Sequence, residues 1–190
     1  LLDRENVNPL DWATGLASEA NATIAVMGIT PLLEGEEGEA LASPDRGDRL
    51  QLGLPNHQVE YLRKLKKDNP NPLVVVLTGG SPIAAPQVHE IADAVLFAWY
   101  PGEQGGHAVA DVLFGDANPT GRLPVTFPRS ANQLPDYEDY SMEGRTYRYM
   151  EKEPLYPFGF GLSYSRCSYS DLQLYREEIT KGETLEATIN

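Results

Sequence analysis

The chain has 190 residues, of which 41% are apolar, and a formal net charge of −13 at pH 7. Its length suits one α/β domain of ordinary size plus a short extra piece, and its apolar content is sufficient to build a core. The negative charge argues against a nucleic-acid partner, because phosphates need a basic face. No apolar run is long enough to span a membrane, and the single cysteine, Cys167, excludes an internal disulfide.

Short apolar runs predict four buried strands, at residues 23–27, 73–77, 94–99 and 123–127. Helical patterns separate them: residues 8–20, a helix capped by Asn56, a short helix through Val88 and Ile91, and a helix that ends at Gly115. Alternating strands and helices are typical of a parallel sheet with crossover connections. The sequence therefore predicts an α/β fold, a mostly parallel sheet with helices on both faces (a flavodoxin-like α/β sandwich).

The character of the chain changes after Pro128. Residues 129–165 are rich in Tyr, Pro and acidic groups without a clear period, which predicts a long irregular arm wrapped over the domain. From Tyr169 onward two short stretches alternate apolar with polar residues, as strands with one buried face do. We therefore divide the chain into an α/β domain over residues 1–165 and the start of a β-sandwich over residues 166–190. The first residue, Leu1, favours a fragment or a processed piece.

The polar segment over residues 30–54 follows the first predicted strand and carries four glutamates within six residues: Glu34, Glu36, Glu37 and Glu39. A loop of this length in a compact domain is often functional, and loops at the carboxyl ends of parallel strands form the ligand sites of such sheets. Two other interpretations stay open. The side chains could simply face water, or the segment could bind calcium, although the regular spacing of oxygen ligands around a glycine is missing.

Several motifs form an ordered set along the chain. The longest are Ala-Trp-Tyr-Pro-Gly-Glu-Gln-Gly-Gly at residues 98–106 and Gly-Arg-Leu-Pro-Val-Thr-Phe at residues 121–127. Shorter ones are Glu-Gly-Glu-Glu-Gly at 34–38, Gly-Asp-Arg at 47–49, Leu-Phe-Gly-Asp at 113–116, Gln-Leu-Pro at 133–135 and Tyr-Pro-Phe-Gly-Phe-Gly-Leu-Ser at 156–163. Together they cover roughly residues 22 to 170, and in this order they resemble the C-terminal α/β domain of glycoside hydrolase family 3.

The resemblance implies a retaining β-glucosidase or β-xylosidase that hydrolyses terminal non-reducing β-linked sugars of oligosaccharides or aryl β-glycosides. Such enzymes use two carboxyl groups, a nucleophile and a general acid/base. In the family the nucleophile is an Asp of a separate N-terminal (β/α)8 barrel, which is absent from this chain. The acid/base is a Glu of a loop in this second domain, usually in a Glu-Gly pair shortly before Asp-Arg.

Glu37 fits that pattern best, because Gly38 follows it, although nine residues separate Gly38 from Asp48. The other glutamates of the segment remain candidates, in the order Glu36, Glu34 and Glu39. The resemblance also implies a barrel domain as partner, a secreted or periplasmic enzyme, and a fibronectin-type sandwich that begins near residue 166. It implies no cofactor and no metal.

Further candidate residues lie at the ends of other predicted strands and in the arm. Trp99 and Tyr100 could stack on a sugar ring or fill the core or a domain interface, and Arg145 could reach the rim of the site or pair with nearby carboxylates. Gly79-Gly80 is typical of a tight turn, with a phosphate-binding turn as the alternative. The three histidines lack the spacing of a zinc site.

A rival function for the chain stays open, namely a non-catalytic flavodoxin-like module that binds a ligand or a protein.

Overall fold

A three-stranded parallel sheet forms the centre of the fold. The computed structural model describes residues 11–35 and 47–190. Strands β1 (Thr23–Gly28), β2 (Leu73–Thr78) and β3 (Ala94–Trp99) lie side by side in that order, and both neighbouring pairs are parallel. β2 consists almost entirely of Val and Leu, as expected of a central strand that is covered by neighbours. The predicted α/β class and parallel sheet are confirmed.

Three helices pack against one another and against one face of the sheet. The helices of the described residues are α1 (Asp11–Glu19), α2 (Pro31–Glu34), α3 (Asn56–Lys66), α4 (Pro86–Ile91), α5 (Gly105–Phe114) and α6 (Thr146–Tyr149). Contacts join α1 to α3 and α3 to α4, and Leu62 of α3 is completely buried in the core that they form with the sheet. Burial of one such side chain contributes roughly 1.5–3 kcal/mol. On the opposite face of β1, Ile24 and Val26 are exposed.

The helix ends follow from residue chemistry, with one correction. Pro31 and Pro86 begin α2 and α4, where a missing N–H costs nothing. Gly115 ends α5 in the left-handed region at φ +86°, as predicted. The prediction that Asn56 caps α3 was wrong, because Pro55 occupies the cap position and no side chain bonds there. Residues 8–10 of the first predicted helix lie outside the described residues.

The fourth predicted strand, residues 123–127, does not join the sheet. Leu123 donates its N–H to the carbonyl of Phe160 (2.9 Å), and Phe127 donates to the carbonyl of Tyr156 (2.9 Å). The segment therefore pairs with the arm, through one isolated antiparallel bridge between Phe127 and Tyr156. Pro124 interrupts the run of backbone donors that a sheet strand needs, which the apolar pattern alone did not reveal.

The arm is mostly irregular, apart from α6 and one 3-10 turn at Ala131–Gln133. The ring of Tyr156 stacks on Phe160 at 5.0 Å between centroids, whereas Tyr137 and Tyr140 are each 92% exposed. Beyond the arm, β4 (Gln173–Leu174) and β5 (Ala187–Thr188) form a short antiparallel pair. All residues of that pair are exposed, so the buried face predicted for these strands was wrong within the described chain.

In the two described ranges, no helix is long and apolar enough to cross a membrane.

Candidate functional site

The chain leaves β1 in a direction that Gly28 and Gln58 determine together. Gly28 has φ +155°, and a Cβ atom there would lie 2.0 Å from the carbonyl oxygen of Thr78, so only glycine fits. The buried amide of Gln58, on α3, accepts a hydrogen bond from the Gly28 N–H at 3.0 Å and donates one to its carbonyl at 2.8 Å. These contacts direct residues 29–34 across the carboxyl ends of the strands.

Glu34 is the last residue of α2, and it joins the ends of all three strands. Its Oε1 accepts a hydrogen bond from the hydroxyl of Ser81, which lies three residues beyond β2. Its Oε2 accepts one from the phenol of Tyr100 at 3.3 Å, directly after β3. Residues distant in sequence therefore meet at one carboxylate. This is the edge where parallel sheets bind ligands.

Arg49 completes this group, which we call the strand-end cluster: Glu34, Arg49, Ser81 and Tyr100. Its Nη2 donates to Glu34 Oε1 at 3.1 Å and to Ser81 Oγ at 2.5 Å. The Arg49 side chain is only 11% exposed, and its buried Nη1 has no hydrogen-bond partner among the described residues. The cluster thus holds a largely desolvated guanidinium, a costly arrangement for a purely structural contact.

Tyr100 lies partly over the turn that follows β2. A Cβ atom at Gly80 would lie 2.8 Å from Cε2 of the Tyr100 ring, so the absence of a side chain at Gly80 makes room for the ring. Burial raises the pKa of the Tyr100 phenol above its ordinary value, and the negative charge of Glu34 raises that pKa further. The phenol therefore stays protonated near neutral pH and donates to the carboxylate, while about half of the residue (52%) remains exposed to a ligand.

Trp99 faces an aromatic cluster. Its backbone is in the left-handed region at φ +56°, which is unusual for a bulky residue and is where strain collects near functional sites. The ring meets Phe97 edge-on at 4.5 Å and Phe127 at 6.0 Å between centroids. Trp99 is therefore half-buried against other aromatic rings, and it supports the position of the exposed Tyr100 that follows it.

The structure brings together some of the predicted site residues and not others. Glu34 and Tyr100 are in contact, and Trp99 adjoins them, whereas Glu36, Glu37 and Glu39 lie outside the described residues. Arg145 makes its described contacts within the arm, to the backbone carbonyls of Asp136, Asp139 and Ser141. No described contact links Arg145 to the strand-end cluster.

Sequence reasoning missed Arg49, Ser81 and Gln58 as site residues. Two of them carried a signal, since Ser81 directly follows the Gly79-Gly80 strand end and Arg49 closes the Gly-Asp-Arg motif. Gln58 carried none, because a polar residue near the start of a helix is normally exposed. Within residues 11–35 and 47–190, no group of three or more His, Cys, Asp or Glu side chains could hold a metal ion.

The arrangement provides a carboxylate with fixed donors, a phenol that is open to solvent, and a strand edge from which an acidic segment departs. Residues 5–164 match the family model of the glycosyl hydrolase family 3 C-terminal domain. This match covers the sheet, the strand-end cluster and nearly all of the arm.

Several characterised proteins are similar to the chain over most of its length. A xylan 1,4-β-xylosidase from Xylanibacter ruminicola is 51% identical over 163 residues, which is 85% of this chain and 18% of that protein. A periplasmic β-glucosidase from Salmonella typhimurium is 36% identical, over 95% of this chain and 24% of that protein. The crystal structure of a family 3 β-glucosidase from Bifidobacterium adolescentis is similar with a TM-score of 0.76 and 29% identity, over 98% of this chain and 28% of that one.

The chain thus spans about a fifth to a quarter of the length of these relatives. The family model covers well over half of the chain, and the solved structure has the same fold. The chain therefore belongs to the C-terminal domain family of glycoside hydrolase family 3.

Proposed function

We propose that this chain is the second domain of a retaining β-glycosidase, of the β-glucosidase or β-xylosidase type, and that its acidic segment supplies the general acid/base. The observation that carries the proposal is the meeting of three strand ends at Glu34, where that segment begins. Family membership supports the reaction class, and relatives named as β-xylosidase and β-glucosidase support both kinds of substrate.

Retaining hydrolysis uses two carboxyl groups, a nucleophile and a general acid/base. In the proposed enzyme, an Asp of an N-terminal (β/α)8 barrel attacks the anomeric carbon and forms a glycosyl-enzyme ester. A glutamic acid of this chain donates its proton to the departing glycosidic oxygen. The resulting carboxylate then takes a proton from water, which attacks the ester and releases the sugar with its original configuration.

Glu34 is poorly suited to donate that proton. Both of its oxygens accept hydrogen bonds from protein groups, Oε1 from Arg49 and Ser81 and Oε2 from Tyr100. A general acid needs a proton on an oxygen that faces the leaving group. We therefore retain Glu37 as the first candidate and Glu36 as the second, and we assign Glu34 a role in the structure of the site.

The substrate contacts proposed for this chain lie beside the same edge of the sheet. The exposed part of the Tyr100 ring offers an apolar face to a sugar or aryl leaving group, and Trp99 supports it from the aromatic cluster. Arg145 stays a proposed rim residue. Its hydrogen bonds to three backbone carbonyls of the arm would let it stabilise the conformation of the arm at the rim of the site.

The remaining partners follow from the reaction. The substrate is an oligosaccharide or an aryl β-glycoside, and the nucleophile domain of the same enzyme closes the site from the other side. Export to the periplasm or the medium is proposed because one relative is named as periplasmic.

The test is a series of Glu→Ala variants at positions 34, 36, 37 and 39 in the whole enzyme. Loss of the acid/base should slow substrates with poor leaving groups by about 10²–10⁴-fold, the usual value of general acid catalysis. Activated aryl glycosides, which need little protonation, should still form the glycosyl-enzyme quickly. Glu90→Ala, an exposed carboxylate on α4, is the control and should leave both rates unchanged. If no variant at the four positions distinguishes the two kinds of substrate, the proposed role of the segment is wrong.

A further inference from the structure

The ion pair between Glu34 and Arg49 joins two positions that bracket the proposed acid/base segment. Glu34 precedes Glu36 and Glu37 by two and three residues, and Arg49 follows the same segment. The side chains meet at 3.1 Å, and Arg49 bonds at the same time to Ser81 beyond β2. The start and the end of the segment are thereby tied to each other and to the central strand.

Stability alone is a weak explanation for this arrangement. Removing a guanidinium from water costs several kcal/mol, and a buried ion pair often contributes no more to stability than apolar side chains of the same volume. Arg49 is 11% exposed and retains a buried nitrogen without a described partner, whereas the ion pair of Arg63 with Glu60 is largely exposed. What a desolvated, charge-assisted contact in which one nitrogen donates to both Glu34 and Ser81 does provide is one fixed geometry.

We propose that Arg49 is a positioning residue for the acid/base, acting through Glu34 and Ser81. This inference rests on the proposed function. The contact between Glu34 and Arg49 limits how far the two ends of the segment that carries both candidates can move apart. A displacement of about 1 Å in such a group costs on the order of 10²-fold in rate.

The experiment compares Arg49→Gln, Arg49→Lys and Glu34→Gln in the whole enzyme with Arg63→Gln as the control. Each variant is assayed on an unactivated disaccharide and on an activated aryl glycoside, after circular dichroism has shown that it is folded. We expect kcat for the disaccharide to fall about 10²-fold in Arg49→Gln, with a much smaller fall for the aryl glycoside and little change in KM. Arg49→Lys, which keeps the charge but not the planar fork, should recover part of the loss. Arg63→Gln should match the wild type.

A merely structural role predicts a different pattern, since a smaller folded fraction lowers both rates by the same factor. An unchanged ratio of the two rates in both Arg49→Gln and Glu34→Gln would overturn the inference. Because Glu34→Gln keeps the shape of the side chain, it serves if the Arg49 variants fail to fold. Glu36→Ala and Glu37→Ala, measured in parallel, separate the two proposals. If one of them, or Glu39→Ala, changes the ratio and the Arg49 and Glu34 variants do not, the positioning role fails and the proposed function stands; if no variant at positions 34, 36, 37 and 39 changes it, both fail.

Discussion

Two arginines of this chain have similar neighbours in the sequence but different hydrogen-bond partners in the fold. Both end a tripeptide that contains one glycine and one acidic residue, Gly-Asp-Arg for Arg49 and Glu-Gly-Arg for Arg145. Arg49 is nearly buried and bonds to side chains 15 and 32 residues away. Arg145 is only partly exposed, and among the described residues its side chain donates only to backbone carbonyls four to nine residues before it.

The comparison shows how the two regions are built. In the strand-end cluster, groups far apart in sequence converge because parallel strands place their carboxyl ends at one edge. In the arm, short-range bonds hold a turn whose tyrosines remain in water. A substitution in the first region should therefore affect the sheet and the proposed catalytic site, while a substitution in the second should have only local effects.

The largest expected effect is on the strand-end region, through Gly28→Ala. The added methyl group would lie 2.0 Å from the Thr78 carbonyl oxygen, in a backbone conformation that disfavours side chains. We expect the free energy of unfolding of the purified chain to fall by about 3 kcal/mol in urea titrations. Gly106→Ala is the matched control. Nothing lies within 4 Å of a methyl group there, and alanine is the better helix residue, so stability should rise by up to about 1 kcal/mol. Equal effects at the two positions would contradict the close approach of β1 and β2.

A smaller effect is expected in the arm, from Arg145→Ala. Loss of the bonds to three carbonyls should release the turn over residues 136–141 and speed its cleavage in limited proteolysis several-fold. The unfolding midpoint should change little. Arg129→Ala, which removes a distant and exposed ion pair with Glu153 at 3.7 Å, should not alter the cleavage pattern. A large loss of global stability in Arg145→Ala would show that the arm is not a local unit.

The smallest predicted effect is a shift in the titration of Tyr100. Glu34→Gln removes a negative charge that disfavours the phenolate, so the pKa of Tyr100 should fall towards its ordinary value, with the part due to burial remaining. Arg49→Gln removes a positive charge that favours the phenolate, so the same pKa should rise. Ultraviolet titration, with Tyr100→Phe subtracted to isolate this phenol, measures both. Shifts of the same sign in the two variants would contradict the described cluster.

Much of the sheet could be predicted from sequence because its signals are local. Apolar runs bounded by Gly and Pro mark β1 to β3 within a residue or so, and Gly115 marks the end of α5. The fourth strand failed because the apolar pattern at residues 123–127 does not reveal which segment supplies the partner carbonyls, and Pro124 breaks its run of donors.

The candidate site was less predictable for a related reason. A parallel sheet predicts that the loops after its strands meet at the edge formed by their carboxyl ends. The contact of Glu34 with Tyr100 is at that edge. Ser81 follows a predicted strand end and Arg49 closes the Gly-Asp-Arg motif, but neither signal shows that the two side chains meet at Glu34. Gln58 owes its position to the packing of α3 against β1, and its burial reverses the usual preference of an amide for water.

The most direct test of the central claim is azide rescue of the Glu37→Ala and Glu36→Ala enzymes on an activated aryl glycoside. Without the acid/base, the glycosyl-enzyme accumulates because water is no longer activated, and azide, which needs no general base, should restore turnover. The account predicts rescue in one of these variants, with a glycosyl azide of β configuration as the product by NMR. Absence of rescue in every variant of the segment, or an α-configured product, would contradict the claim that this chain supplies the acid/base of a retaining β-glycosidase.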